Sequence, residues 1–273
     1  MPDQINERNA PGTAAAVSDP AAVRDQYRTA DRLGTRISIH ARYSVNKQGF
    51  GNWIASHFDI RPGASVLELG CGTGEMWLGR EETVRRCARF ILTDLSEGML
   101  DRARETLRGV GGIEFAAADI QSIPYADGTF DAVIANMMLY HVPDLPRALR
   151  EVKRVLKPDG VFCCATYGEY GMMETLCGLF RAWGVRNRDP HRFTLQNGEE
   201  KLKTVFRDVR RYLYEDALEV TNAEDLADYI GSLTGMTDFQ RLTREEILSV
   251  LRSHMTGGVL RIPKEYGMFI ARP

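Results

Sequence analysis

The stretch that decides the fold is residues 67–75, Leu67-Glu68-Leu69-Gly70-Cys71-Gly72-Thr73-Gly74-Glu75. The short apolar run before the glycines predicts a buried parallel strand that ends in a sharp turn. Glycines at such a turn let the backbone bend tightly and let a ligand lie against bare main chain. Asp94 follows at the end of the next predicted strand, where a carboxylate can accept both hydroxyls of a ribose. Together these features predict a nucleoside site, with a tight turn and a surface aspartate as the alternative.

The spacing of the glycines separates two kinds of nucleoside ligand. The dinucleotide fingerprint G-x-G-x-x-G brings a helix start to a pyrophosphate. This chain has G-x-G-x-G, and Glu68 stands two residues before the first glycine. A carboxylate beside the loop repels a pyrophosphate and suits a cation. The charge therefore favours S-adenosylmethionine, which carries an ammonium and a sulfonium, and leaves a nicotinamide-dependent oxidoreductase as an alternative.

Strands and helices alternate on both sides of this turn, which indicates a parallel sheet covered on both faces. Ahead of it, Asp19-Pro20 reads as the start of an amphipathic helix that runs to Ile37, and a second helix lies around residues 50–58. The remaining predicted strands are 90–93, 113–117, 130–135, 161–166, 211–220 and 259–271, and the remaining predicted helices are 96–107, 145–156, 172–183, 195–206, 223–233 and 243–255.

The composition excludes several classes of protein. The 273 residues carry 35 Lys and Arg against 37 Asp and Glu, and 44% are hydrophobic, which is typical of a globular chain and not of a disordered one. A formal charge of −2 argues against an obligate binder of nucleic-acid backbones. Five scattered cysteines without a CxxC pair predict reduced thiols and no metal site. With neither a secretory signal nor a membrane-length apolar run, we expect a cytoplasmic protein without a membrane partner.

The glycine turn and the segments after it resemble the motifs of the class I S-adenosylmethionine-dependent methyltransferases. The resemblance begins at residues 66–75 and continues, in family order and at family spacing, through Leu92-Thr93-Asp94-Leu95-Ser96, Ala118-Asp119-Ile120, residues 123–133 and Leu156-Lys157-Pro158-Asp159-Gly160. It implies an α/β fold with a Rossmann-like, doubly wound, mostly parallel seven-stranded sheet. An N-terminal helical lid and a helical insertion near the C-terminus would complete it.

The resemblance and the patterns together divide the chain. We expect a disordered leader over residues 1–19 and a single methyltransferase domain over residues 20–273. Within that domain, residues 20–59 would form a helical cofactor lid, residues 60–167 the cofactor-binding core, and residues 168–273 the acceptor-site helices and the last strands.

The resemblance also implies roles for residues of a cofactor site. Glu68 would hold the methionyl amino group through water, Asp94 the ribose hydroxyls and Asp119 the adenine amino group. Leu95 would flank the adenine, and Asn136 would line the methionyl end. The glycines would form a bed under the ligand, and a cysteine between them would be a small filler and not a nucleophile. The full set is Glu68, Gly70, Cys71, Gly72, Gly74, Asp94, Leu95, Asp119, Ile120 and Asn136.

Two further cofactor contacts are expected from the N-terminal helices, which in this family often close over the ligand. Tyr27 would cover the ligand with an aromatic ring, and Arg36 would pair with its carboxylate. The alternative is that Tyr27 packs in the core and Arg36 is a solvated charge. His40 lies further along the same segment and could reach the site, although a structural histidine is the favoured interpretation.

The candidate catalytic residues follow the fourth strand, in residues 136–144. A parallel sheet binds ligands at the carboxyl ends of its strands, so this loop faces the site. His141 can act as a general base near neutral pH, and Tyr140 can orient or stack on the acceptor. A sulfonium is already an activated methyl donor, so positioning supplies most of the rate, and a base is needed only where the acceptor loses a proton. A histidine not used as a base is the alternative.

The acceptor is expected to contact residues 168–258, which carry twelve Lys and Arg against fifteen Asp and Glu. This segment has no basic face for RNA or DNA. Some of its apolar side chains could line a pocket, although packing is the default for most of them. The side chains in question are Met172, Met173, Leu176, Phe180, Trp183, Tyr212, Tyr214, Tyr229 and Met236.

The sequence therefore predicts methyl transfer from S-adenosylmethionine to oxygen, nitrogen or carbon of a small-molecule metabolite with an apolar body. A methyltransferase acting on RNA or protein, a nicotinamide-dependent oxidoreductase and a non-catalytic cofactor-binding protein remain alternatives. The chain also resembles quinone-biosynthesis C-methyltransferases and natural-product tailoring enzymes, and neither resemblance selects an acceptor. The oligomeric state stays open, with a homodimer as one option.

Overall fold

The computed structural model describes residues 38–188, 190–233 and 237–273. The predicted leader, the first predicted helix with Tyr27 and Arg36, and Met236 lie outside these ranges. Within the described ranges, no helix combines the length and the apolar character needed to cross a bilayer.

A seven-stranded sheet organises the chain, as the sequence predicts. The strands are β1 (Ser65–Leu69), β2 (Arg89–Asp94), β3 (Ile113–Ala117), β4 (Phe130–Ile134), β5 (Leu156–Tyr167), β6 (Asp208–Val220) and β7 (Leu260–Arg272). Their order is β3-β2-β1-β4-β5-β7-β6. The first five strands are parallel, while β7 runs antiparallel to both β5 and β6. The two late strands therefore close one edge of a doubly wound sheet.

Helices join these strands, and several begin at a side chain that caps them. Ser96, Asp144 and Thr243 each accept a hydrogen bond from a backbone N–H in the first turn, which satisfies one of the unpaired donors there. The helices are α1 (Phe50–Ala55), α2 (Glu81–Arg85), α3 (Glu97–Thr106), α4 (Leu145–Val155), α5 (Met172–Leu179), α6 (Gly198–Lys203), α7 (Ala223–Ser232) and α8 (Arg244–His254).

Two predicted helices are shorter than their apolar patterns suggest. The helix predicted over 172–183 ends at Leu179 and continues as a 3₁₀ turn, Arg181–Trp183, that Gly184 closes with a left-handed backbone. The helix predicted over 195–206 is reduced to α6 because Leu195 pairs with the end of β5, where its N–H donates to the Tyr167 carbonyl at 3.0 Å. Tertiary hydrogen bonding overrides the local pattern in this case.

The sheet core is apolar on both faces, which explains the uninterrupted apolar runs of the parallel strands. Leu67 and Leu69 of β1 pack into one buried cluster with Phe162 of β5. Val66 and Leu92 belong to the cluster on the opposite face. Since β1 lies in the middle of the parallel part, its carboxyl end opens between the loops of its neighbours, and a ligand site is expected at that point.

The segment ahead of the sheet is attached to the edge strand β6. Residues 38–43 are helical, Ser44 forms an isolated bridge to Leu218, and the Val45 N–H donates to the Ala217 carbonyl at 2.9 Å. Beneath this contact, the Lys264 ammonium donates hydrogen bonds to Asp216 and to the Ser44 hydroxyl. The side chains of Lys264 and Asp216 are 2% and 0% exposed, so a buried ion pair holds the N-terminal segment on β6 and β7.

Substitution of one member of this pair is expected to destabilise the fold. Asp216→Ala leaves the Lys264 ammonium buried without its anion, and we expect the free energy of unfolding to fall by about 3 kcal/mol. Urea unfolding followed by circular dichroism measures the change. Glu219→Ala, which breaks the exposed pair with Arg261, serves as the control and should cost less than about 1 kcal/mol. Equal losses in the two variants would contradict the assignment.

Candidate functional site

A cavity of about 570 Å³ opens at the carboxyl ends of the parallel strands. One side is formed by the loops that follow β1, β2, β3 and β4, which we call the loop side. The other side, which we call the strand-edge side, is formed by the end of β5, by α5, α7 and β7, and by His40 and Phe50. Among the described residues that line the cavity there is no Lys or Arg, whereas the acidic side chains are Glu75, Asp94, Asp119 and Glu265.

The glycine turn after β1 forms the floor of the loop side. Gly70, Gly72 and Gly74 all have left-handed backbone conformations, with φ between 56° and 74°. A Cβ atom at Gly74 would lie 2.8 Å from Leu107 Cδ1, so this glycine is required for packing against α3. A Cβ atom at Gly72 would meet nothing within 4 Å, so its main chain borders open space. The turn thus presents bare backbone to a ligand, as the sequence predicts.

Asp94 ties the glycine turn to the end of β2. Its two carboxylate oxygens accept hydrogen bonds from the Gly72 N–H at 3.0 Å and from the Ser96 N–H at 2.9 Å. Burial raises the pKa of Asp94, and these backbone donors oppose the rise. A carboxylate has about four acceptor positions, so Asp94 keeps capacity for a further donor. Since Asp94 also lines the cavity, it can accept two hydroxyl groups there.

Glu68, unlike the residues of the turn that follow it, is buried below the cavity. It is 3% exposed, and it does not appear among the residues that line the cavity. Its Oε2 accepts a hydrogen bond from Trp77 Nε1 at 2.5 Å. Burial raises the pKa of Glu68 to about 7, the charge of Asp94 adds to the rise, and the hydrogen bond from Trp77 opposes it. Glu68 therefore supports the turn from below, and the water-mediated ligand contact predicted for it stays a prediction.

Trp77 is a site residue that the sequence did not reveal. It is fully buried and stacks on Phe58. A carboxylate on a buried strand requires a donor, and a buried indole N–H nearby is a natural one. Nine residues separate Glu68 from Trp77, so only the path of the turn brings them together.

Asp119 lies on the loop side after β3, together with Leu95 and Ile120, and their predicted contacts with a cofactor stay predictions. Its carboxylate accepts hydrogen bonds from the Gln121 N–H at 2.8 Å and from the Gln121 side-chain amide. Gln121 in turn accepts the Asp144 N–H at 3.0 Å. The loop that carries Asp119 is therefore joined to the loop that follows β4.

The loop after β4 brings Asn136, Tyr140 and His141 to the cavity. Met137 begins it with a left-handed backbone, φ 54°, and its N–H donates to the Ala165 carbonyl of β5 at 2.9 Å. The ring of Tyr140 lies 4.4 Å from that of His141 and 4.8 Å from that of Tyr167, between ring centroids. The candidate catalytic pair thus lies where the loop side meets the strand-edge side.

Only some of the apolar side chains considered from the sequence line the cavity. Met172, Met173 and Tyr229 do so. Leu176 and Phe180 are buried in the core cluster behind them, and Trp183 is 46% exposed. Tyr212 and Tyr214 do not line this cavity, and Tyr214 borders a separate surface pocket next to Asn46.

The strand-edge side contains residues that sequence reasoning missed or left open. Glu265 and Tyr266 come from the last strand, beyond the segment expected to contact the acceptor. His40 also lines this side, with its ring 6.3 Å from Tyr229 and 5.9 Å from Tyr266. Burial lowers the pKa of His40 to about 3, the Lys264 charge adds to the effect and Asp216 opposes it, so the imidazole is neutral at physiological pH.

Comparisons with known proteins agree with this geometry. A family profile described as a methyltransferase domain matches residues 67–164. The ubiquinone/menaquinone biosynthesis C-methyltransferase UbiE of Klebsiella pneumoniae is 38% identical over 104 residues, which span 37% of this chain and only 41% of that protein. UbiE of Escherichia coli is 26% identical over 188 residues, covering 67% of this chain and 74% of that protein.

Solved structures show the same fold. The YcgJ protein of Bacillus subtilis superposes with a TM-score of 0.58 at 18% identity and covers 81% of this chain and 96% of its own. The [4+2]-cyclase SpnF superposes with a TM-score of 0.56 at 20% identity and covers 96% of this chain and 97% of its own.

The raised pKa of Glu68 predicts a pH dependence of stability. Between the ordinary pKa of 4.5 and about 7, the folded state binds one proton more than the unfolded state, so the free energy of unfolding falls as the pH rises through this window. We expect a loss of about 3 kcal/mol from this group between pH 4.5 and pH 7.5. Glu68→Gln, whose amide oxygen still accepts from Trp77, should remove this component in urea unfolding at the two pH values. Glu200→Gln on exposed α6 is the control, and an unchanged slope in Glu68→Gln would contradict the assignment.

Proposed function

We propose that the chain is a class I S-adenosylmethionine-dependent methyltransferase that transfers the methyl group to oxygen, nitrogen or carbon of a small molecule with an apolar body. The match to a methyltransferase domain and the similarity to UbiE support this proposal. One observation carries the proposal: a single cavity joins a loop side with carboxylates and bare glycine backbone to a strand-edge side of aromatic and methionine side chains. The first side suits the cofactor and the second an apolar acceptor.

The loop side fits the chemical groups of this cofactor. Asp94 and Asp119 offer acceptor oxygens for ribose hydroxyls and for the adenine amino group, and the open main chain at Gly72 allows close approach. The described lining residues include no Lys or Arg that would neutralise a phosphate, which disfavours a nicotinamide dinucleotide. Bound S-adenosylmethionine supplies an activated methyl group on a sulfonium sulfur.

The remaining predicted contacts follow from their places on the loop side. Leu95 and Ile120 flank the adenine, Asn136 lines the methionyl end, and Gly70 and Gly74 shape the turn beneath it. Cys71 acts as a filler, because burial and the neighbouring carboxylates raise the pKa of its thiol and disfavour a thiolate nucleophile. Glu68 acts by holding Trp77 under the turn and reaches the ligand only through water.

Catalysis depends on the orientation of the methyl acceptor and, where the reacting group carries a proton, on the removal of that proton. Tyr140, which lies between the rings of His141 and Tyr167, presents a flat surface where the two sides of the cavity meet. His141 is the general base, placed to accept the proton that an acceptor hydroxyl or amine releases as the new bond forms. In-line positioning of the acceptor supplies the rest of the rate.

A methyltransferase acting on RNA is the second candidate, and the charge of the cavity disfavours it. Base-modifying enzymes need cations along the backbone path, while the described lining residues here carry only acidic charges. Retention on a heparin column at physiological salt would favour RNA over a small molecule.

Loss of Asp94 is expected to remove cofactor binding. In Asp94→Ala, two hydrogen bonds to a charged acceptor are lost, and the Kd for S-adenosylhomocysteine should rise about a hundredfold by isothermal titration calorimetry. Asp101→Ala, an exposed position on α3, should bind as the wild type does. NADH should give no binding in a fluorescence titration. Equal affinity of wild type and Asp94→Ala for S-adenosylhomocysteine, or tight NADH binding, would refute the proposal.

Removal of the candidate base is expected to lower turnover without loss of cofactor binding. With tritium-labelled S-adenosylmethionine and a panel of quinols, phenols and aromatic amines, His141→Ala should transfer label about a hundredfold more slowly than the wild type. Its Kd for S-adenosylhomocysteine should stay within about threefold. His254→Ala on exposed α8 is the matched control. A His141→Ala rate equal to that of the wild type on every methylated acceptor would exclude this role.

A further inference from the structure

Glu265 is the acidic group on the strand-edge side of the cavity, and two glycines lie in close contact with it. A Cβ atom at Gly168 would lie 2.0 Å from Glu265 Cδ, and one at Gly171 would lie 2.9 Å from the Glu265 backbone nitrogen. Glycine at position 168 leaves room for the carboxylate in its observed place, and glycine at position 171 lets the chain approach the backbone of β7. The Gly168 N–H also donates to the Glu265 carbonyl at 2.7 Å, which joins the end of β5 to β7.

The carboxylate is oriented by neutral donors. Oε2 accepts the Tyr170 N–H at 2.7 Å, and Oε1 accepts the Gln196 side-chain amide at 2.5 Å. No ion pair between described residues includes Glu265. The adjacent Lys264 is engaged by Asp216 on the other side of the strand. The negative charge is thus held in place, and no cation of the described chain neutralises it.

Aromatic side chains line the cavity near Glu265, and the Lys264 ammonium, which is paired with Asp216, lies 5.1 Å from the centroid of the Tyr266 ring. Tyr167, Tyr229, Tyr266 and Phe50 line this side of the cavity, and His40, whose pKa is lowered by burial, is neutral there. Aromatic faces carry negative potential and attract cations. A carboxylate or phosphate on an acceptor would be repelled by Glu265. The described residues that line the cavity include no Lys or Arg to offset this repulsion.

We propose that Glu265 is a specificity-determining residue that pairs with a positively charged amine on an aromatic acceptor. This inference rests on the methyl-transfer function proposed above and adds the substrate class. The carboxylate recognises the ammonium group, the aromatic side chains enclose the ring, and acceptors with a negative charge are rejected. Recognition by Glu265 does not specify which atom of the acceptor receives the methyl group.

Three indole compounds that share a ring and differ in charge test the proposal. Tryptamine is cationic, tryptophol is neutral and indole-3-acetate is anionic at pH 7.5. Each compound is titrated into protein saturated with S-adenosylhomocysteine. Tryptamine should bind at least about tenfold more tightly than indole-3-acetate, because only its ammonium can donate a hydrogen bond to the Glu265 carboxylate. Glu265→Gln should reduce this ratio to about threefold or less and change tryptophol binding by less than about threefold.

Controls separate this inference from the proposed function. Glu245→Gln, exposed on α8, removes the same charge away from the cavity and should keep the wild-type ratio. Equal binding of tryptamine and indole-3-acetate, an unchanged ratio in Glu265→Gln, or no binding of any of the three compounds would overturn the role of Glu265. Failure of S-adenosylhomocysteine to bind would instead overturn the proposed function, and the same titrations without it would still test Glu265.

Discussion

The left-handed backbone of the glycine turn after β1 is the constraint on which the site depends. Gly74 must lack a Cβ so that the turn can pack on α3, and Gly72 offers its N–H to Asp94 at the end of β2. The Cys71 N–H adds a hydrogen bond to the Thr93 carbonyl at 2.9 Å. These contacts join two neighbouring strands at their carboxyl ends. The same few hydrogen bonds therefore position both the floor of the cavity and the carboxylate of Asp94.

Below this turn lies a polar contact that the apolar core isolates. Glu68 and Trp77 are both buried, and each satisfies the other. Burial of a charge is costly, and the pKa of Glu68 is raised to about 7 as a result. The carboxylate still contributes to the site, because it holds the Trp77 indole that supports the turn. The stability of the floor therefore depends on pH.

The opposite side of the cavity depends on the antiparallel end of the sheet. The buried pair of Lys264 and Asp216 fastens Ser44 to β6 and β7, and the helical turn before Ser44 carries His40 to the cavity. One residue further along β7, Glu265 points into the cavity from the same strand. Tyr266 lines the cavity as well, so the strand that anchors the N-terminal segment through Lys264 also supplies two of the lining residues.

The sequence by itself determined the parallel core, because glycines, apolar runs and capping residues act over a few neighbouring positions. The position of Asp94 at the end of a predicted strand also marked it as a candidate ligand residue, since parallel strands place their carboxyl ends at one edge of the sheet. Asp119 was indicated only by the resemblance to the methyltransferases. Only the tertiary structure decided that Glu68 accepts a hydrogen bond from Trp77. It alone also decided that His40 and Glu265 line the cavity. Those contacts depend on the path of the turn, on antiparallel pairing between distant strands and on a buried ion pair, and such long-range contacts leave no periodic signal in the chain.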